Sequence, residues 1–147
     1  MTVSSTNTKN SYSGDGSTTV FTYNFPINSQ AELAVISRSS LGTETTKTLN
    51  SDYTIVDNGA SGGSVTFTTA PTSSETIVLI RDTNLTQTTD YLANDPFPAE
   101  THEAALDKMT FQVQEMQEEL GRSLKISKTN TMTSTEFTND ATDRALK

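Results

Sequence analysis

Residues 96–124 read PFPAETHEAALDKMTFQVQEMQEELGRSL, the one long helical pattern in the chain, directly behind everything that reads as strand. Leu106, Met109, Val113, Met116 and Leu120 recur at intervals of three, four, three and four residues. That is the a/d seam of a coiled coil, narrower than the stripe with which a helix lies on a sheet. The same register puts Ala99 and His102 on the seam and fails after Ser123. Pro96 and Pro98 hold the approach extended, and Pro98 or Ala99 can open the helix. Glu100 and Glu103 lie near the positive end of its dipole, and Arg122, Lys125 and Lys128 gather at the negative end. The expectation is a self-associating helix over residues 98–125.

A seam this narrow calls for a partner. The competing reading is a single amphipathic helix packed on its own domain. Two features favour self-association. The flanks are crowded with Gln112, Gln114, Glu115, Gln117, Glu118 and Glu119, which leaves little apolar width for a sheet. The strand-rich region also lies wholly upstream, so that the helix can project away from it. About three heptads are present, the lower limit for reading a coiled coil from pattern.

Working back from the helix, residues 83–97 form a polar, extended connector. Residues 11–82 alternate in the manner of strands. Val20, Thr22 and Asn24 interleave with Phe21, Tyr23 and Phe25, which makes one aromatic face and one largely polar face. Leu33 to Ile36 can be buried on both faces, and Thr43 to Leu49 suits an exposed edge. Asp52 to Val56 and Ser64 to Thr68 flank a hairpin loop at Asp57-Asn58-Gly59 through Gly62-Gly63. TIVLIR, Thr76 to Arg81, is the most apolar strand and is expected at the centre of its sheet. Six short strands parted by turn chemistry predict a mainly β fold, a small antiparallel sandwich or barrel. Its expected core is Phe21, Tyr23, Phe25, Leu33, Val35, Tyr53, Ile55, Val65, Phe67, Ile77 and Leu79. Residues 1–10 read as a flexible arm, and 126–147 as the start of a shaft or a truncated segment.

The chain of 147 residues carries a net charge of -8, which argues against a nucleic-acid or anionic-membrane surface. Cysteine is absent, so disulfides, thiolate metal sites and Cys nucleophiles are excluded. MTVSSTNTKN lacks the apolar core of a signal peptide, and no run reaches the length of a membrane span. A soluble protein made in a cytoplasm is expected. His102 is the one histidine, and its neighbour Glu103 does not share its helix face. In a trimer three copies of His102 could meet near the axis, but a capping or interface role is the simpler reading. Asp52, Asp57, Asp82 and Asp90 stand at strand ends and turns, where the carboxylate usually serves the local backbone. No catalytic residue, cofactor or metal site is expected.

The ordered set Tyr12-x-Gly14-Asp15-Gly16-Ser17-Thr18-Thr19-x-Phe21, Leu49-x-x-Asp52-Tyr53-Thr54, Gly63-Ser64-Val65-Thr66-Phe67 and Arg81-Asp82-Thr83 continues into two further stretches. These are Thr86-Gln87-Thr88-Thr89-Asp90-Tyr91 and the run from Asp95-Pro96-Phe97 to Lys108. The set resembles the N-terminal attachment domain of tail fibres and tailspikes of short-tailed, T7-like phages, over about residues 11–124. The resemblance implies a homotrimeric virion component, assembled in the host bacterial cytoplasm, that docks a fibre on the tail adaptor and nozzle proteins. On that reading Thr86, Gln87, Asp90, Tyr91, Asp95 and Phe97 are the candidate tail-docking connector. The alternative is a receptor-binding domain for cell-surface glycan, which an aromatic content of 7% without Trp disfavours. A depolymerase is disfavoured by the lack of an evident carboxylate pair.

Overall fold

Alternating side chains can cover only one face of a sheet, and here two sheets cover each other. In a computed structural model, described for residues 3–57, 59, 62–90, 98–125 and 128–129, the strands are β1 (Lys9–Ser13), β2 (Val20–Tyr23), β3 (Leu33–Arg38), β4 (Glu44–Thr46), β5 (Tyr53–Asp57), β6 (Gly63–Phe67) and β7 (Thr76–Arg81). One sheet runs β1-β7-β3-β4 and the other β2-β6-β5, with every ladder antiparallel. The pair of sheets does not close into a barrel. Helix α1 (Ala99–Arg122) follows.

All eleven core residues expected from alternation are buried between the sheets, together with Ile27. Burying each large apolar side chain contributes about 1.5–3 kcal/mol, and here aromatic contacts add shape. Phe21 meets Phe67 edge-on at 5.6 Å, and Tyr23 packs on Phe25 at 5.3 Å. The buried hydroxyls are accommodated. Tyr23 donates to Asp57 Oδ1 at 3.3 Å and Tyr53 to the Leu33 carbonyl at 3.3 Å. Gly63, opposite Tyr23 in the β2–β6 ladder, leaves the room that the tyrosine hydroxyl occupies.

β7 lies between β1 and β3, the central place its composition predicts. β4 is a short, exposed edge. The strand absent from the sequence reading is β1, which starts within the stretch read as an arm and pairs from Lys9↔Ile80 to Ser13↔Thr76. KNSYS has no apolar alternation, and only Tyr12 packs against the core. Its register comes from the open edge of β7 rather than from its own pattern. The chain then turns sharply at Gly14, where a Cβ would collide with the backbone of Pro71 and Thr72. Gly14 is thus required by close approach, whereas Gly16 has the positive φ of 76° that a turn demands.

Candidate functional site

An α-helix advances about 100° per residue, so positions 111, 115 and 118 share one face and the seam lies roughly opposite. The two faces of α1 differ. Phe111 is fully buried, and the Arg81 guanidinium lies 4.0 Å from its ring centroid. Arg81 ends β7 on the inward side of the sheet, where a cation without partners would be costly. It is satisfied by three acceptors. Its Nε donates to Glu115 Oε1 at 2.7 Å, one terminal nitrogen to the Pro26 carbonyl at 3.1 Å, and the other to Gln114 Oε1 at 2.7 Å. Glu115 also accepts from the Thr83 amide at 3.0 Å and the Thr83 hydroxyl at 2.6 Å. Burial lowers the Arg81 pKa, and the hydrogen bond and charge of Glu115 oppose that shift. Arginine remains charged through such a change, so the cluster is a cationic latch.

Polar contacts extend the latch along the helix. Lys9 pairs with Glu118 at 2.8 Å, and Arg122 clasps the same carboxylate at 2.9 Å. Burial pushes the Glu118 pKa up, but hydrogen bonds from Arg122 and Lys9 outweigh it and leave the group below its ordinary value. On one flank Gln114 Nε2 donates to the Ser5 carbonyl at 2.9 Å, which ties in the N-terminal segment. On the other, Gln112 Nε2 donates to the Asn84 carbonyl at 3.0 Å and Lys108 Nζ to the Thr86 carbonyl at 2.5 Å. The expectation that the helix projects away from the sheets is therefore corrected. It is fastened to them by the Gln- and Glu-rich side, which supplies hydrogen bonds where apolar width is lacking.

The seam residues face the other way. Leu106, Met109, Val113, Met116 and Leu120 are each between 51% and 63% exposed, high values for apolar side chains on a docked helix. Ala99 and His102 are exposed as well. The structure thus brings the expected seam together as one outward stripe. Within the connector, the Thr86 amide and hydroxyl both donate to Asn84 Oδ1 at 3.0 Å, and Gln87 Nε2 donates to the Thr89 carbonyl at 3.0 Å. Asp90 is exposed, while Tyr91, Asp95 and Phe97 lie outside the described residues.

Asp52 accepts the Thr48 amide at 2.7 Å and Asp57 the Gly59 amide at 3.0 Å, the local backbone roles expected of them. Asp15 does the same for Ser17 and Thr18; the Thr18 hydroxyl and amide hold its pKa down at about 2. Among the described residues, no group of three or more His, Asp or Glu side chains could hold a metal ion, and no helix is long and apolar enough to cross a membrane.

Sequence reasoning missed the latch. Its one available signal is the spacing of Phe111, Glu115 and Glu118, which lie on one face opposite the seam.

No family model matches the chain. Over 128 residues it is 34% identical to the tail spike protein of Salmonella phage epsilon15. The alignment covers 85% of this chain, and the chain spans 12% of the length of that relative. This likeness supports a phage tail structural protein.

Proposed function

We propose that this chain is the anchoring module of a phage tail spike or fibre, a homotrimer that joins through the α1 seam and attaches to tail adaptor and nozzle proteins through its β unit and connector. The observation that carries the reading is the outward stripe from Leu106 to Leu120, on the face opposite the latch. An apolar stripe of this length, left open to water, is stabilised by burial against a like stripe, each large side chain contributing about 1.5–3 kcal/mol when fully covered. Val and Leu at a positions with Met at d do not fix the strand number. Three is taken from the resemblance to tail-fibre anchors. The module works by binding alone, without a catalytic step.

The latch suits this role. With its seam turned outward, α1 can enter a bundle while its own β unit stays attached on the outside. Light scattering on the 147-residue chain, beside a variant with Leu106, Val113 and Leu120 changed to Ser, tests the reading. A trimer that the variant loses supports it. A monomer in both sinks it, and binding of the monomer on a glycan array would favour the receptor-binding alternative.

A further inference from the structure

The two flanks of α1 carry different neighbours, and that difference has a consequence for a bundle. On the flank of Gln114 and Gln117 lies a groove of about 520 Å³ between the helix and the N-terminal segment. Thr6, Asn7, Lys9, Gln114, Gln117 and Glu118 line it. On the flank of Gln112 lies the connector, tied to the helix through the Asn84 and Thr86 carbonyls. Leu85, between those two carbonyls, is 80% exposed.

With Leu106 and Val113 at a positions, Gln112 falls at g and Gln117 at e. In a parallel coiled coil the g residue of one helix faces the e residue of the next heptad on its neighbour. Gln112 therefore faces Gln117 of the partner subunit. Gln112 holds the connector, and Gln117 lines the groove.

We infer that the groove of each copy receives the connector of the adjacent copy around residues 84–86, with Leu85 covered by the N-terminal segment of that neighbour. The inference rests on the seam reading above and adds a second contact to it. The fit is chemical as well as positional. The groove offers the amide of Gln117 and the N–H groups that Asn7, Gln114 and Lys9 retain beyond their bonds to Asn24, Ser5 and Glu118, which suit the backbone carbonyls and side chains of an extended Asn-Leu-Thr-Gln segment. The methyl of Thr6 and the stem of Lys9 can shield a leucine.

The chain has no cysteine, so single cysteines report cleanly. Leu85→Cys and Thr6→Cys variants of the 147-residue chain, carrying tags of different mass, are refolded together and oxidised. Val113→Cys alone serves as the seam control. The expected result is a mixed-tag crosslink several-fold stronger than the same-tag bands, together with a Val113→Cys crosslink. A Val113→Cys crosslink without the mixed-tag product overturns the groove contact and leaves the seam standing. Failure of both overturns the seam reading itself. A mixed-tag product without the Val113→Cys crosslink overturns the parallel geometry from which the placement was argued.

Discussion

Arg81 turns inward at the end of a strand whose other inward residues, Ile77 and Leu79, belong to the apolar core. Its charge is tolerated because Glu115, Gln114, Pro26 and the face of Phe111 surround it. Removing one member of such a pair strands the other. Arg81→Leu is expected to cost about 2–3 kcal/mol, less than a fully enclosed pair because Glu115 retains some solvent. Glu115→Gln keeps the shape and an acceptor and should cost about 1 kcal/mol. Urea unfolding of both variants checks the order; equal losses would mean that the carboxylate charge, and not the shape and acceptor that Gln retains, carries the contact. Asp15 gives a pH-dependent counterpart. Its folded pKa is about 2 against an ordinary 3.8, so its contribution is present above about pH 4 and is lost as pH falls through 2. The stability gap between wild type and Asp15→Ala should be constant from pH 5 to 7 and close between about pH 4 and 2. At this scale the sequence was only partly legible. Asp52 and Asp57 could be placed as turn residues because an Asx hydrogen bond is local, whereas the hydrogen-bond partners of the Arg81 side chain lie 33 to 55 residues away and leave no local trace.

Among the elements, α1 shows most clearly what pattern can and cannot convey. Its exposed apolar stripe was legible because period 3.5 is a property of the sequence itself. Its docking was not, because a face of Gln, Glu and one Phe looks like a solvated face until its acceptors meet donors from elsewhere. The same contrast separates β2, whose alternation names its buried side, from β1, whose ladder is imposed by β7. The docked helix depends on a single large apolar contact. Phe111→Ala should therefore weaken its attachment by about 3 kcal/mol while the core between the sheets stays intact. Hydrogen exchange resolves the two. Amides of α1 should lose protection while those of β3 and β7 keep theirs, and a uniform loss would show that helix and sheets unfold as one.

For the whole molecule, the division of labour between connector and seam can be tested on the proposed trimer. Asp90→Ala combined with Tyr91→Ala should weaken binding to tail proteins more than it weakens trimer formation. Binding measured by surface plasmon resonance, next to light scattering, decides this; parallel losses would refute it. The overall plan of sheets followed by a seam-bearing helix was readable from the chain. Their mutual placement was not, since it is set by long-range polar contacts.

The opposition of latch and seam on one helix also governs valency. If three helices join, three β units are carried outward in cyclic array, and each can contact the tail separately. Once one has bound, the other two are held at high local concentration, so that modest individual contacts combine into tight attachment. A monomeric variant should then lose far more affinity than any change within a single contact surface can cause. Attachment would become, in effect, a readout of completed assembly.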